Sequence, residues 1–508
     1  MQFTVELLDS PQNLVQQFLC CQLRATVVHG NNRRVQRRFR AGQRFEDDAS
    51  RSKMGLGPRL VRGGRSMVLS RDLHRSAAPA GKYDDLVRPD GMVHRTLYTD
   101  PQIFDEEMAK IFGGSWVFLA HEAEIPKPHD FKTTTIGRRP VIVSRSADGN
   151  IHALLNRCTH RGSLVCVTDH GNTKRFQCPY HSWTFGSDGE LLGVTFPGGY
   201  GPNFDKKAHN LGRFPRLENY RGFIFGSLNP QVEPFLDWLG AARPTFDWCV
   251  DKEGIGPNGV RVVKGIHYVV RCNWKQQNDN NADAYHAPFL HFSTAKMNQQ
   301  RYGGGKALDH LRGDDNPMYV QSLGNGHKLL DQRPSLGSAW ERTRPIPGKE
   351  SYAAAVTQKL GENLAREQLE LVGRTGVNLV LYPNLFFMGH GSFAVYEPVA
   401  VDLTHVRYYT ALVNDAPEEI NTLRVRFAED FNNVGVRDDN EAMERVQYAL
   451  TTIPEMEWIN LSKGLGTDRE TVGPDGVVTG NVMDETAVRG SYTRWKELMA
   501  RDVRLAVA

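Results

Sequence analysis

Cys158-Thr159-His160-Arg161-Gly162, with 17 residues between His160 and the next motif, Cys178-Pro179-Tyr180-His181, is the stretch that decides the fold. Each half offers one thiol and one imidazole, soft-to-borderline ligands suited to zinc or to an iron–sulfur cluster. Short β-type runs surround the two halves, at 140–144, 152–156 and 221–228, with Gly and Pro turns between them. A small β domain of hairpins can bring two such loops onto one metal centre from opposite sides. The spacing predicts that domain over about 116–230.

Two metals compete for the site. Zinc in a Cys2His2 set usually follows a CxxC…HxxxH order. Here each loop supplies one Cys and one His, which suits a two-iron cluster of the Rieske type: the cysteines hold one iron and the histidines the other. Cys166 lies between the loops but outside either pair, so it reads as a buried structural cysteine.

A second constellation follows in 273–291, Asn273-Trp274-Lys275-Gln276-Gln277-Asn278-Asp279-Asn280-Asn281-Ala282-Asp283-Ala284-Tyr285-His286-Ala287-Pro288-Phe289-Leu290-His291. Two histidines five apart do not share a face of a regular helix, and Pro288 between them disfavours helix continuation. The spacing therefore predicts that His286 ends a helical turn and His291 returns from the following bend. Asp283, three before His286, shares its face. Two His and one carboxylate form the facial triad of oxygen-activating Fe(II). The carboxylate must come from elsewhere, and the run Arg437-Asp438-Asp439-Asn440-Glu441-Ala442-Met443-Glu444 puts several carboxylates at a helix start. Taken alone, such acids are ordinary helix N-terminal partners and the two histidines ordinary histidines. The first constellation is what raises them.

The rest of the chain sets bounds. Its 508 residues, 40% hydrophobic and 24% charged, allow two or more domains with real cores. The net charge of +4 gives no reason to expect nucleic acid or membrane as a partner. Residues 1–66 hold 12 Lys+Arg against 5 Asp+Glu, leaving 50 against 53 for the remainder. That basic leader reads as a disordered or non-native extension, since Glu46-Asp47-Asp48 and the absence of an early basic segment fit a targeting signal poorly. Seven cysteines in so long a chain do not make a secreted disulfide scaffold. No apolar run approaches the ~20 residues that span a bilayer, and a cytoplasmic location is expected. Residues 67–115 read as a lead-in with a helix from Pro101, capped by Asp100. Residues 231–508 form the larger domain: a helix at 230–250, a strand at 259–272, a long loop at 303–350, strands at 378–387 and 392–413, helices at 417–431 and 439–450, a Gly-rich loop at 464–480 and a closing helix at 486–501. Gly303-Gly304-Gly305-Lys306 lacks phosphate-loop spacing and no GxGxxG follows a strand, so neither a nicotinamide nor a flavin site is visible.

Together the two motifs resemble the large (alpha) subunits of Rieske non-haem iron aromatic ring-hydroxylating dioxygenases, over about 98–501. Arg161-Gly162 and Trp183-Thr184-Phe185 belong to the first motif, and Asn273-Trp274-Lys275 with Asp283-Ala284-Tyr285-His286 and His291 to the second. The segments 221–230, Gly324-Asn325-Gly326-His327 and Leu381-Tyr382-Pro383-Asn384 are similar to the benzoate-type members. The resemblance implies an α+β fold: a Rieske β domain, sandwich-like and antiparallel, plus a larger catalytic domain with a central antiparallel sheet flanked by helices. It implies that Cys158, His160, Cys178 and His181 hold a [2Fe–2S] cluster, and that His286, His291 and Asp439 hold a mononuclear Fe(II). Asp439 is preferred to Asp438 because its register with Met443-Glu444 matches the family ligand. The segment 431–436 before it is shorter than the family's. The resemblance also implies that Asp283 bridges one subunit's cluster histidines to the next subunit's iron ligands.

The implied activity is cis-dihydroxylation of an aromatic ring, with an aromatic carboxylate suggested by the benzoate-type similarity, using O2 and electrons from a ferredoxin and/or a separate NAD(P)H reductase. The implied assembly is a head-to-tail trimer, with or without a small beta subunit (α3β3). Monooxygenation or demethylation is the alternative within the family. A Rieske electron carrier or a zinc-stabilised binding module are alternatives outside it.

Overall fold

Alternation of apolar side chains along strands 377–413 builds the centre of the molecule. In the computed structural model, which describes residues 82–251, 260–302, 317–335, 339–342, 349–373, 376–388, 391–414 and 418–507, these strands lie inside a nine-stranded antiparallel sheet. Its order runs Val260–Val270, Leu403–Val413, Ser392–Ala400, Leu385–Met388, Val377–Leu381, Lys328–Asp331, Tyr319–Ser322, Val478–Asn481, Thr471–Val472. Successive side chains of a strand point to opposite faces, and both faces of this sheet are covered. Leu379, Leu381, Leu385, Phe387, Phe393, Val395 and Tyr409 enter one core. Val380, Phe386, Met388, Ala394, Tyr396, Val406 and Tyr408 enter another.

The first face is aromatic. A three-stranded sheet of Val117–His121, Phe223–Ser227 and Arg216–Tyr220 lies over it with helices Phe235–Leu239 and Arg243–Asp251. Phe118 meets Phe393 edge-on at 5.9 Å between ring centroids, and Phe223 sits 5.3 Å from Phe387. The second face carries the helix Val436–Thr452, through Val436 and Met443. That helix brings Asp439 into the molecule.

Two smaller antiparallel sheets make the β domain. Ile151–Leu155, Arg139–Arg145, Asp130–Ile136 and His170–Asn172 form one, and Arg175–Gln177, Thr184–Gly186 and Leu191–Gly193 the other. They share a core of Phe131, Ile142, Leu154, Phe176, Trp183 and Phe185. The α+β architecture expected from the sequence is the one observed.

Several local expectations change. Residues 303–350 are not one long loop, because Tyr319–Ser322 and Lys328–Asp331 are central-sheet strands. Between them Gly324, Asn325 and Gly326 all take positive φ, so the turn itself explains its glycines. Lys328 and Asp331 hid the second strand's pattern, since both are buried and partnered. The Gly-rich stretch 464–480 likewise contains Thr471–Val472 and the start of Val478–Asn481, which form the far edge of the sheet. The helices expected at 417–431 and 439–450 are one continuous run. Glu418–Asp430 passes through a π-turn, Phe431–Gly435, into Val436–Thr452. The lead-in helix is Pro101–Glu107, with Asp100 capping Gln102 and Ile103 as expected. The basic leader 1–66 lies outside the described residues.

Candidate metal centres

The cluster loops are two copies of one turn. Cys158 N–H donates to Ser163 O and Gly162 N–H to Cys158 O; in the second loop Cys178 N–H donates to Trp183 O and Ser182 N–H to Cys178 O, the same offsets. The residue four after each cysteine takes positive φ, +82° at Gly162 and +58° at Ser182. Glycine adopts that conformation without strain; the serine shows that the turn, rather than the residue, is dictated.

The turns bring the four candidates together. Both thiols are buried and free, and burial pushes the Cys158 thiol pKa up, with Cys178 beside it adding to the rise. The His160 and His181 rings stand 4.6 Å apart between centroids, and Trp183 stacks on His160 at 4.8 Å. His160 Nδ1 is buried without a hydrogen-bond partner. An orphaned imidazole nitrogen facing a second imidazole, next to two buried thiols, fits a mixed Cys/His metal centre. Cys166 is buried against Thr168, as a structural cysteine would be.

The second site is assembled from three segments. His286 is the N-cap and His291 the C-cap of a short helix, Ala287–Leu290, with Pro288 in its first turn. Pro288 therefore starts a turn instead of ending one, the place where a missing N–H costs nothing. This corrects the expected bend. His286 Nε2 and His291 Nε2 lie 3.4 and 3.2 Å from Asp439 Oδ1. One ligand atom from each of the three falls within 4.8 Å of the others. Asp439 Oδ1 has no hydrogen-bond partner despite its burial. The three atoms converge on a common point and not on one another, which is the arrangement a cation completes.

The remaining ring nitrogens face acids. Asp283 Oδ2 is 3.4 Å from His286 Nδ1, and Asp438 Oδ2 is 3.4 Å from His291 Nδ1 while accepting from Thr294 Oγ1 at 3.2 Å. The Asp438 carboxylate fixes the His291 tautomer and turns its other nitrogen toward the centre, whereas His286 Nδ1 makes no hydrogen bond among the described residues and meets Asp283 as an ion-pair contact. Burial opposes charge on His286, yet Asp283 and Asp439 push its pKa up to about 10. Burial likewise opposes charge on Asp439, and the two imidazoles hold it down to about 2. The site favours a positive charge at its centre.

The helix Trp274–Asn280 carries the scaffold of this site. Asn273 caps it through Lys275 N. Gln276 and Gln277 bond Gln447 and Asn440 on the Asp439 helix. Glu107 from the lead-in is fully buried and accepts from Trp274 Nε1 (2.8 Å), Lys275 Nζ (2.6 Å) and Trp495 Nε1 (2.7 Å). The Trp274-Lys275 pair of the motif thus ties the site to both ends of the described chain. The sequence reading missed Glu107. Its signal is an acid on the helix face shared with Ile103 and Ile111. The same reading weighed Asp438 only as a rival ligand to Asp439.

The comparisons identify both domains. A Rieske [2Fe-2S] domain model covers residues 115–200, and a model of the ring hydroxylating alpha subunit catalytic domain covers 258–501. The 2-halobenzoate 1,2-dioxygenase large subunit of Burkholderia cepacia is 33% identical over 437 residues, 80% of this chain and 89% of that protein. The toluate 1,2-dioxygenase subunit alpha of Pseudomonas putida is 36% identical over 355 residues, 67% of this chain and 74% of that protein. A crystal structure of naphthalene 1,2-dioxygenase with indole bound in its active site has a TM-score of 0.70 at 26% identity, covering 83% of this chain and 95% of that one. The chain belongs to the Rieske-type ring-hydroxylating dioxygenase large (alpha) subunits.

Proposed function

We infer that this chain is the oxygenase component that cis-dihydroxylates an aromatic ring, with an aromatic carboxylate as the substrate class. The observation that carries the reading is the presence on one chain of two different sites: a paired Cys/His loop centre, and a separate two-His, one-carboxylate site backed by two further acids. An electron carrier needs only the first. The carboxylate substrate is supported by similarity to the halobenzoate and toluate enzymes. The chain uses a [2Fe–2S] cluster and a mononuclear iron. On this reading Cys158, His160, Cys178 and His181 hold the cluster, and His286, His291 and Asp439 the iron. Bound there, the cluster would supply single electrons and the iron open positions for O2.

The chain's own residues orient these groups. Asp438 holds the His291 ring and Asp283, which accepts from the His286 backbone N–H, stands 3.4 Å from its Nδ1, while Trp183 packs on His160. The chain works in a multi-component system, with electrons from a ferredoxin and/or an NAD(P)H reductase. For the assembly, a head-to-tail trimer, with or without a beta subunit, is favoured by exposed apolar side chains near both sites. Val167, Tyr180 and Phe196 surround the cluster loops, and Phe289, Phe292 and Tyr448 lie on the elements around the iron site. In such a trimer Asp283 faces His181 of the next chain and joins the two imidazoles. The division proposed is 67–115 lead-in, 116–230 Rieske domain and 231–508 catalytic domain. Among the described residues no helix is long and apolar enough to cross a membrane, and Cys158, Cys166, Cys178 and Cys272 form no disulfide. Both are in keeping with a cytoplasmic place for the protein.

The test is a single turnover. Anaerobically reduced protein is mixed with O2 and a panel of aromatic acids, and the products are identified. A cis-diol is expected; a phenol or a demethylated product would move the reaction to the alternative chemistry.

A further inference from the structure

The C-terminal end of the Trp274–Asn280 helix is closed carbonyl by carbonyl. A helix leaves its last four carbonyls without an intrahelical partner. Here Gln277 O accepts from Asn281 Nδ2 at 2.5 Å, Asp279 O from Ala282 N–H and Asn280 O from Asp283 N–H. Asn278 O is taken by Lys328 Nζ, at 2.6 Å, from the central sheet. Lys328 is fully buried, and the next two residues of its strand are the buried Leu329 and Leu330. A cation in such a place is costly unless it is paired and hydrogen-bonded. Its counter-charge is Asp279, whose Oδ1 stands 3.8 Å from Nζ.

Asp279 ties three elements together. Its Oδ2 accepts from Tyr98 of the lead-in at 2.9 Å and from Tyr492 of the closing helix at 2.6 Å. Burial pushes its carboxyl pKa up, and Lys328 is the largest influence pulling it back, ahead of the two tyrosine hydroxyls. An ionised carboxylate accepts at both oxygens, whereas a protonated one turns part of that capacity into a donor. The lysine therefore keeps Asp279 in the form that grips both tyrosines. The chain then runs directly into the iron site. Asp283 N–H closes the helix on Asn280 O, and Asp283 Oδ1 accepts from the backbone N–H of His286. A displaced helix end is passed to Asp283 and His286 within a few residues.

We propose that Lys328 is a positioning residue for the mononuclear iron site: its ammonium seals the C-terminal end of the Trp274–Asn280 helix, holds Asp279 as the anchor of Tyr98 and Tyr492, and so sets where Asp283 and His286 stand. The inference rests on the reading of His286, His291 and Asp439 as iron ligands.

This ammonium is switched off by pH as well as by mutation. Burial pulls the Lys328 pKa down to about 8, against the attraction of Asp279 and Glu485. The surrounding groups titrate elsewhere or are paired. Glu485, which accepts from Tyr285 Oη, is pushed up to about 7 by burial. Tyr98 and Tyr492 are held well above their usual range by burial. Burial pushes His327, the neighbour in the chain, down to about 3. Lys275 pairs with Glu107 and Asp331 with Arg333.

The experiment measures mononuclear iron affinity by chelator competition, on the full chain with its cluster intact, at pH 7 and pH 9. Lys328→Gln keeps a donor for Asn278 O and removes the charge. At pH 7 wild type should bind iron about tenfold more tightly than Lys328→Gln, the size of a lost outer partner. At pH 9 the ratio should fall to about twofold or less, because wild type then lacks the charge too. Protonation of the iron ligands acts on both proteins and cancels in the ratio. The double variant Lys328→Met/Asp279→Leu strands neither charge, so it should keep the wild-type denaturant midpoint yet hold iron no better than Lys328→Gln. A ratio near one at pH 7, a ratio unchanged at pH 9, or wild-type affinity in the double variant overturns the proposal. A further measurement needs no variant: with substrate and O2, re-oxidation of the pre-reduced wild-type cluster should slow about threefold or more from pH 7 to pH 9, and an unchanged rate overturns the proposal. Absence of mononuclear iron from wild type overturns the ligand reading along with this one, whereas iron held equally by all three proteins at both pH values overturns this one alone.

Discussion

Asp438 and Asp439 are neighbours in the chain and do different work. Asp439 points its Oδ1 at both histidine Nε2 atoms, while Asp438 holds the far nitrogen of His291. Asp439→Ala should therefore remove the mononuclear iron and abolish turnover with the cluster spectrum intact. Asp438→Asn should keep iron but weaken its hold, by roughly 10- to 100-fold in affinity, as loss of an outer partner does. Iron analysis and visible spectra on the same samples check both. Equal iron loss in the two variants would exchange or merge their roles. A second residue-scale effect concerns His327. Burial pushes its pKa down to about 3, and its nitrogens serve Tyr382 N and Trp238 O. The unfolded chain takes up that proton near pH 6.5 and the folded chain does not, so acid favours unfolding between about 6.5 and 3. Between pH 6 and 5 the wild type should lose about 1 kcal/mol more stability than His327→Gln, a figure set by one proton per chain. Denaturant titrations at the two pH values measure it; parallel losses would remove His327 from the account.

At the scale of elements, the Trp274–Asn280 helix is held by a buried ion pair with two indole donors. Removing one partner of such a pair leaves a charge without compensation in the interior, which costs about 3–5 kcal/mol. Glu107→Leu should destabilise the protein by that amount and lower mononuclear iron content through the displaced helix. The double variant Glu107→Leu/Lys275→Met should recover most of the loss, because neither charge is then stranded. Denaturant midpoints for the three proteins decide it, and a double variant no better than the single would show that packing around the indoles, not charge, is what Glu107 supplies.

For the whole molecule, the proposed head-to-tail trimer carries two expectations. Phe196 is largely exposed beside the cluster loops, so Phe196→Glu should shift the particle from three large subunits toward one without changing the cluster spectrum. Light scattering reads the mass, and an unchanged mass would place the contact elsewhere. Asp283→Asn should keep the trimer, the cluster and most of the iron, yet stop re-oxidation of the reduced cluster by O2 in the presence of substrate. Rapid mixing of reduced protein with oxygen and substrate follows that step, and a wild-type rate would leave Asp283 with only its local place beside His286.

The chain by itself determined the parts whose chemistry is local. Cys158-Thr159-His160 and Cys178-Pro179-Tyr180-His181 announce a shared metal centre, because each pair sits in one turn and the turn geometry is set by a few residues. The alternation in 377–413 announces strands, because one-in, one-out burial needs no distant information. Residues that matter through distant partners were not legible. Lys328 and Asp331 read as loop and are strand, since only the fold supplies the Asn278 carbonyl and the Arg333 side chain that let them be buried. Glu107 reads as a surface acid until Lys275 and Trp495 arrive from 168 and 388 residues away. Division of labour between Asp438 and Asp439 depends on how the π-turn at Phe431–Gly435 rotates the helix that follows. Spacing along a chain fixes which side chains can meet within a turn or a strand; whether Asp438 or Asp439 meets a given imidazole, 147 residues away for Asp438 and His291, is decided by packing alone.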